Sequence, residues 1–379
     1  MSIVKFSEVA HRAYTREDRF NTEKIYYVGG EHIDSCELYV TKKGVIKGST
    51  IGPMFYCGFT AGQILFVTRN PHLKKCSIAD FDGICSEKTF VIETKDESIL
   101  TQEYLAIIMQ SDDFWNYCEE NKSGGVNYFL NWSTLADYEF ELPPIKQQLE
   151  IAQKVMSAYR LKQSYKKLLD ATREMVKSQF IEMFGTVESY CKLEDLVSDT
   201  FPGEWGSEPT SENAIKVIRT TNFTNEGHLD LADVVTRDIE PKKVARKKLK
   251  QGDTILERSG GTKDNPVGRV VFFDEIGDYL LNNFTQALRP KESVNPVYLF
   301  YALYNSYNIN KAAMRAMASQ TTGIQNLSMS DFMSKSIVLP SRDEQNKFEQ
   351  IYRQADKSEF ELRKSIEAID QVIKSLINN

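Results

Sequence analysis

The densest group of side chains that could bind an anion lies in the stretch PKKVARKKLKQG, where six basic residues occur with no acid among them. These residues are Lys242, Lys243, Arg246, Lys247, Lys248 and Lys250. Contacts with nucleic-acid phosphates need local positive charge of this kind. A solvated loop or helix face has the same composition about as often. The formal net charge of −6 argues mildly against a free-standing DNA-binding protein.

Motifs that carry enzyme chemistry are missing from the sequence. It has no GxxxxGK(S/T) phosphate-binding loop and no Asn-Pro-Pro-aromatic tetrapeptide of the kind that adenine methyltransferases use. The four histidines lie far apart without an HExxH motif. The acids of ADFDG, Asp80 and Asp82, fit turn chemistry better than a metal site. We therefore expect a chain that is not an enzyme and that binds no metal or cofactor of its own.

Cysteine usage and hydropathy indicate the compartment. The six cysteines are scattered and form no CxxC pair, so neither a zinc site nor a disulfide framework is indicated. No apolar run has the length of a signal peptide or a membrane span. We expect a soluble cytoplasmic protein that does not associate with a membrane.

The chain repeats itself at a constant offset of 197 positions (368 − 171). Repeats of this kind decide the architecture and are therefore tested first. The matching pairs are Leu142 with Leu339, Gln148 with Gln345, Ala158 with Ala355, Lys167 with Lys364, Ala171 with Ala368 and Lys177 with Lys374.

Each copy of the repeat ends in a predicted long helix, at residues 143–185 and 341–379. Both segments lack Pro and Gly in their interiors. In the second, Phe348, Ala355, Leu362, Ile369 and Leu376 recur every seven residues, which places them on one stripe. Because a long amphipathic helix cannot bury its stripe alone, the two copies are predicted to pair as an antiparallel coiled coil. The alternative is two unrelated helices, each packed on its own domain.

The intervening segments, residues 1–142 and 186–340, are predicted to be two similar α+β domains. In both, a Gly and a polar residue lead into a short apolar strand that is followed by an Arg and a polar loop: TAGQILFVTRN from Thr60 and KQGDTILERSGG from Lys250. Near the end of each domain, GGVNYFLNWSTLADYEFELPP parallels TTGIQNLSMSDFMSKSIVLP. The expected fold is therefore two globular α+β domains separated by two long helices.

These features together resemble the specificity subunit of type I restriction-modification systems. The likeness rests on the LPP…QQLEIA entry to the first long helix, the KSQFIEMFG exit, the LPSRDEQ to IKSLI copy, and the segments ADFDGICSEKTFVI and QGDTILERSGG…VGRVVFF. It implies that the two domains are target recognition domains, each of which reads one half of an interrupted, asymmetric site in double-stranded DNA. The long helices would be spacers that set the gap between the half-sites.

The resemblance also implies partners. Two methyltransferase (modification) subunits and a restriction/translocase subunit would dock on the chain. S-adenosylmethionine, ATP and Mg would then be bound by those subunits, and adenine N6 methylation and ATP-dependent cleavage would be their chemistry.

Candidate DNA-contacting residues are polar and basic side chains on loops that could enter a groove or face phosphates. For any one of them, a plain surface role is about as probable as a DNA contact, so the clusters carry the prediction. In the first domain they are Lys42, Lys43, Lys47, Arg69, Asn70, His72, Lys74 and Lys122. In the second domain they are Arg219, Asn222, Arg246, Lys247, Lys248, Arg258, Lys263, Gln320 and Gln325.

Two other functions stay open from the sequence. The chain could be a two-domain coiled-coil scaffold that does not bind DNA, or an enzyme whose site has no recognised motif. Neighbouring genes for a methyltransferase and a helicase would favour the specificity subunit, whereas DNA methylation or cleavage by the purified chain would favour the enzyme.

Overall fold

The computed structural model describes residues 2–210, 214–321 and 323–378. Its contacts divide the chain into two compact units, residues 1–168 with 362–379, and residues 169–361. Each unit thus contains one globular portion together with a segment of each long helix.

The first unit is built mainly from strands, with four short helices after or between them. Its strands are Ser2–Lys5, Ala10–Arg12, Thr15–Arg16, Tyr26–Val28, Gly44–Val45, Phe55–Phe59, Ile64–Val67, Cys76–Ile78, Gly83–Ser86, Thr89–Thr94 and Glu139–Leu142. Its short helices are Phe6–Val9, Gln102–Ile108, Asp112–Glu120 and Trp132–Ala136, with a 3-10 turn at Pro71–Leu73.

The second unit repeats this plan. Its strands are Tyr190–Lys192, Val197–Pro202, Ile215–Ile218, Val235–Arg237, Thr254–Glu257, Ser259–Gly260, Val270–Phe272, Tyr279–Leu281, Thr285–Pro290, Ala318–Thr321, Ile324–Leu327 and Ser336–Val338. Its short helices are Leu193–Leu196, Pro241–Lys247, Pro296–Ile309, Lys311–Ala316 and Met329–Met333, with a 3-10 turn at Thr220–Asn222.

Strand order confirms that the globular portions are copies of one fold. Each unit has a four-stranded antiparallel sheet, and the central pair is Ile64–Val67 with Thr89–Thr94 in one unit and Thr254–Glu257 with Thr285–Pro290 in the other. Each unit also has one parallel pair. These pairs are Tyr26–Val28 with Gly83–Ser86 and Ile215–Ile218 with Tyr279–Leu281.

The glycine that leads into the central strand adopts the same conformation in both copies. Gly62 and Gly252 each have a φ of 93°, in the left-handed region that side chains disfavour. The next residue then closes the turn, because Gln63 accepts a hydrogen bond from the Thr60 amide and Asp253 accepts one from the Lys250 amide. The predicted Gly-polar entry to these strands is therefore confirmed.

The long helices span Ile145–Phe184 and Arg342–Asn378, 40 and 37 residues. In the first unit, Ile373 and Leu376 pack on the same core as Val155. In the second unit, the rings of Phe180 and Phe348 lie 5.1 Å apart. In each unit an early segment of one helix meets a late segment of the other, so the predicted antiparallel pairing is confirmed.

A buried glutamine joins each long helix to its own domain. Gln148 accepts a hydrogen bond from the Thr101 amide (3.0 Å) and donates to the Pro143 carbonyl (2.8 Å). Its repeat partner Gln345 accepts from the Asn295 amide (2.8 Å) and donates to the carbonyl of the proline that precedes the helix (2.9 Å). Both side chains are almost fully buried. The repeat therefore places a glutamine at the equivalent position of each long helix, where its side chain forms a hydrogen-bonded joint between the helix and its own domain.

Two ion pairs between the long helices also occupy equivalent positions. Lys162 pairs with Asp370 at 2.7 Å in the first unit, and Arg173 pairs with Glu359 at 3.0 Å in the second. The 197-residue offset relates position 162 to 359 and 173 to 370. Both cations nevertheless lie on the first helix and both acids on the second. This arrangement favours pairing of unlike helices, because two copies of the same helix would bring like charges together.

The described helices include none that is long and apolar enough to cross a membrane. All six cysteines are free thiols. Within residues 2–210, 214–321 and 323–378, no group of three or more His, Cys, Asp or Glu side chains could hold a metal ion.

Candidate nucleic-acid interface

The first unit brings two distant loops together. Arg69 forms an isolated antiparallel bridge with Phe129, and the Asn70 amide donates to the Tyr128 carbonyl at 2.9 Å. The ammonium of Lys122 lies 4.3 Å from the centre of the Tyr128 ring. The adjacent residues Arg69 and Asn70 are thus brought beside the distant Lys122.

The groups on this surface differ in how free they are. Arg69 is half-buried, and its guanidinium lies 5.2 Å from the Phe129 ring centre. Lys122 pairs with Glu119, and Lys74 pairs with an aspartate at 3.5 Å. Asn70 holds a left-handed backbone with φ 52°, a conformation that asparagine tolerates. His72 is exposed. Neither the His72 side chain nor the Asn70 side chain has a hydrogen-bond partner among the described residues.

The lysines of the loop around residue 45 are held to different extents. Lys42 forms an ion pair with Asp34 at 2.7 Å, and hydrogen bonds from Lys42 and a neighbouring threonine lower the pKa of that aspartate against the opposing effect of burial. The Lys43 ammonium lies over the rings of Tyr26 and Phe81 at 3.9 and 4.1 Å. Lys47 is exposed and has no acidic partner in the part of the chain that the structure describes.

In the second unit an equivalent pair of loops joins in a small sheet. Strand Ser259–Gly260 pairs with Ile324–Leu327, which pairs with Ala318–Thr321. Arg258 lies next to this sheet, and its guanidinium donates to the Gln286 side chain at 3.3 Å. The predicted Arg258 and Gln325 are therefore brought together.

Gln325 and Gln320 are the predicted DNA-contacting residues within this sheet. The Gln325 side chain accepts a hydrogen bond from the Val267 amide at 3.3 Å, so part of its hydrogen-bonding capacity is used. The backbone of Gln320 lies opposite Gln325 in the sheet. The Gln320 side chain falls outside the described residues.

Sequence reasoning missed two basic residues beside the predicted Lys263. The Arg315 guanidinium donates to the Lys263 carbonyl at 2.7 Å, and Lys311 donates to the Asp264 carbonyl at 3.1 Å and the Asn265 side chain at 2.9 Å. They fix the loop that carries exposed Lys263. Their i, i+4 spacing in KAAMRA was the available signal, since that spacing places both on one helix face.

Two predicted DNA-contacting residues, Asn222 and Arg219, have hydrogen-bond partners within the chain. Asn222 is 3% exposed, accepts a hydrogen bond from the Arg219 amide, and donates to the carbonyls of Asp230 and Asp233. Arg219 donates to the carbonyl and the carboxylate of Asp233 at 2.9 and 3.0 Å. The structure therefore contradicts base readout by Asn222, because its amide is sealed and fully used within a turn, and it gives Arg219 a competing intramolecular partner.

The basic cluster forms the helix Pro241–Lys247 and the residues that follow it. Although no acid lies within the cluster, acids from other segments reach it. Glu204 pairs with Lys243 at 3.2 Å and Lys247 at 2.5 Å, and Asp278 pairs with Lys248. The two lysines hold the pKa of Glu204 below its usual range.

The exposed remainder of this cluster is Lys242, Arg246 and Lys250, for which the described residues provide no ion pair. The predicted Lys247 is half-buried and held by Glu204, so Arg246 is the more available of the two. The cluster thus offers fewer free charges than its sequence indicates.

Comparisons with known proteins agree with this architecture. Residues 192–371 match the family model described as "Type I restriction modification DNA specificity domain". The type I restriction enzyme EcoDI specificity subunit of Escherichia coli is 28% identical over 155 residues, which cover 41% of this chain and 31% of that protein. The matched region thus spans about a third of the length of that curated relative.

Two solved structures share the fold. The type I restriction-modification S subunit from M. genitalium has a TM-score of 0.62 and 12% identity, covering 99% of this chain and 94% of that one. A chain from a structure on complex assembly and conformational transition of the type I R-M system has a TM-score of 0.51 and 18% identity, covering 99% and 96%. The predicted α+β fold with two similar domains and two long helices is confirmed.

Proposed function

We propose that the chain is the DNA sequence-recognition subunit of a type I restriction-modification complex. The proposal starts from residues 192–371, which match the family model of the type I restriction-modification DNA specificity domain. This match confirms the recognition made from the sequence. The two domains of the chain would read the two halves of an interrupted site in double-stranded DNA. The spacing of half-sites in such a target follows from the separation of the two readers.

The observation that carries this proposal is the paired-loop surface found in both units. In each unit, an arginine follows the central strand and lies beside a segment from about 60 residues later. Arg69 lies beside residues 122–129, and Arg258 lies beside the strand Ile324–Leu327, which pairs with Ala318–Thr321. Arginine is the commonest specific reader of base edges. Because the loops differ in sequence between the copies, the two half-sites should differ, and the target should be asymmetric.

The chain itself would be non-catalytic. Two methyltransferase subunits, which would bind S-adenosylmethionine, and a restriction/translocase subunit, which would use ATP and Mg, would supply the chemistry. Base methylation by such partners requires that the target base leave the duplex stack.

The outer faces of the long helices support the docking of these subunits. Large apolar side chains remain exposed on them, among them Leu149 (52%), Leu161 (45%), Ile181 (48%), Phe360 (63%) and Val372 (53%). A contiguous patch of exposed apolar side chains is typical of protein interaction sites, whereas single exposed ones are ordinary, so substitution of individual residues tests the docking surface. Removal of residues 343–379, the simplest test of docking, would also remove core residues of both units.

Surface substitution is therefore the better docking test. Phe360→Ser should weaken co-purification with the modification subunit and leave the thermal unfolding of the isolated chain unchanged. Unchanged assembly would remove this part of the second helix from the docking surface.

A genome-wide map of methylated adenines in the native cell, with and without this gene, tests the proposed function. Loss of one interrupted, asymmetric motif is the expected result and gives both half-sites and their spacing. An unchanged map from a system whose modification subunit is active would refute the proposal and favour the scaffold function.

A further inference from the structure

The second unit holds a cavity of about 320 Å³ that is lined by aromatic and acidic side chains together with the basic residues Arg173, Lys177 and His228. It lies among the first long helix, the helix Pro296–Ile309, the second long helix and the loop at residues 224–228. Its aromatic and acidic lining residues include Phe300, Tyr301, Tyr304, Tyr352, Glu226 and Asp356. A pocket of a few hundred Å³ is of the size that binds small ligands or single side chains.

The aromatic residues form one contiguous wall. The ring of Tyr301 lies 5.7 Å from those of both Tyr304 and Tyr352, and the ring of Phe300 lies 5.7 Å from that of Tyr304. The faces of such rings attract cations, most strongly where water is excluded. The wall therefore favours a positively charged occupant over a neutral one.

The carboxylates of the cavity are incompletely neutralised. Glu226 Oε1 is 4.0 Å from Arg173 Nη1, and Asp356 Oδ1 is 3.6 Å from His228 Nε2. Both separations exceed the length of a hydrogen bond, and neither carboxylate accepts a hydrogen bond from the described residues. The negative potential also acts on the wall, since burial and the nearby Glu226 raise the pKa of Tyr304.

The first unit shows which groups surround the equivalent position of its own fold. The Ile78 amide donates to the Leu38 carbonyl, as the Phe272 amide donates to the Gly227 carbonyl. Glu37 immediately precedes Leu38, and Glu226 immediately precedes Gly227. The two glutamates therefore occupy equivalent positions in the two units.

In the first unit the carboxylate is surrounded by donors. Glu37 accepts hydrogen bonds from Lys166 at 2.7 Å, Tyr159 at 2.8 Å and Lys162 at 3.3 Å. At the 197-residue offset, Tyr159 and Lys162 become Asp356 and Glu359. The second unit has thus replaced a phenol and an ammonium by two carboxylates that line the cavity. Of these, Glu359 is held by Arg173 at 3.0 Å, whereas Asp356 accepts no hydrogen bond from the described residues.

We propose that this cavity binds a guanidinium or ammonium group from outside the chain, which occupies beside Glu226 the place that the Lys162 ammonium occupies beside Glu37. The aromatic wall stacks on the cation, and Glu226 and Asp356 accept its hydrogen bonds. The proposal does not depend on DNA recognition. The group is either a free small organic cation or a basic side chain of a bound protein.

Calorimetric titration of the full-length chain with N-acetyl-L-arginine amide tests the site, with the neutral isostere N-acetyl-L-citrulline amide as the matched ligand control. The arginine derivative should bind at least about tenfold more tightly, since only it carries the charge that both the rings and the carboxylates recognise. Equal affinity for the two ligands would overturn the proposal.

Variants locate the binding. Glu226→Gln keeps the shape of the side chain and should weaken arginine binding at least about tenfold, and Asp356→Asn provides a second variant if the first is unstable. The matched control is Glu37→Gln, whose carboxylate already has internal lysine partners and which should leave arginine binding unchanged. Binding unaffected by both cavity variants would also overturn the proposal.

A competition experiment identifies the source of the cation. If the group is a partner's side chain, saturating N-acetyl-L-arginine amide and the Glu226→Gln substitution should both weaken assembly with the modification subunit. If it is a free cation, both should leave assembly unchanged, and the arginine derivative should raise the unfolding temperature of the assembled complex. The first titration needs neither DNA nor a partner, so its failure is separate from failure of the proposed function.

Discussion

The salt dependence of DNA binding should distinguish the free cations of the basic helix from those already paired. Each phosphate that a cation neutralises contributes about 0.9 to the slope of log affinity against log salt concentration. Lys242 and Arg246 are exposed and have no ion pair among the described residues. Lys248, by contrast, is paired with Asp278.

The double variant Lys242→Ala, Arg246→Ala should therefore lower the magnitude of this slope by about 1.8. Over a change from 50 to 200 mM salt, a slope difference of that size corresponds to about a twelvefold smaller loss of affinity in the variant. The weakening at low salt should be similar for specific and unrelated sequences, because phosphate contacts carry no sequence information.

The matched control removes a pair without a change of net charge. Lys248→Ala combined with Asp278→Ala should leave the slope unchanged if that ion pair stays intact in the complex. From the sequence alone, Lys247 and Lys248 are predicted, with Arg246, to contact DNA. The structure moves the expectation to Lys242 and Arg246, because acids from other segments hold the other two.

Fluorescence anisotropy of a labelled target duplex, titrated at several salt concentrations with the chain bound to its modification subunits, measures the slope. An unchanged slope in the Lys242→Ala, Arg246→Ala variant would remove the basic helix from the DNA interface. A slope reduced equally by the charge-neutral control would show that ion pairing in the free chain does not determine availability.

Three further predictions concern how each unit is held together. Gln345→Ala should lower the free energy of unfolding in urea by about 2–5 kcal/mol, because it leaves a buried amide and a buried carbonyl without partners; exposed Gln354→Ala should change it little, and similar effects of the two would contradict the joint. Lys162→Glu should lower the free energy of unfolding by about 3–5 kcal/mol, since it replaces a nearly buried ammonium between Glu37 and Asp370 by a third carboxylate, and adding Asp370→Lys should restore part of this loss in a double-mutant cycle. Burial opposes ionisation of Glu37, yet hydrogen bonds from lysine and tyrosine outweigh it and hold its pKa below the usual range. Its stabilisation should therefore be present above the unfolded-state pKa of about 4.3 and be lost as the pH falls through the lower folded-state pKa; Glu37→Gln should flatten that dependence, and a wild-type-like profile would contradict this assignment.

The sequence by itself determined the duplicated architecture. The constant offset of 197 positions, the Gly-polar entries at Gly62 and Gly252 and the seven-residue spacing of Phe348 and its neighbours are local or periodic signals. Such signals act through backbone preference and the burial of one helix face, so they can be recognised without knowledge of distant partners. They were sufficient for the fold class and for the family.

Only the tertiary structure decided which polar residues are available. Asn222 lies in the polar stretch RTTN, yet the fold buries its side chain in a turn. Lys247 lies in a sequence cluster without acids, yet the fold places Glu204 from a distant segment in an ion pair with it. Arg258 and Gln325 meet only because two short strands pair. Hydrogen bonds and ion pairs form between groups that are close in space, and one sequence without coordinates does not contain those distances. The same reason hides the cavity beside Glu226, whose character depends on side chains from four separate segments.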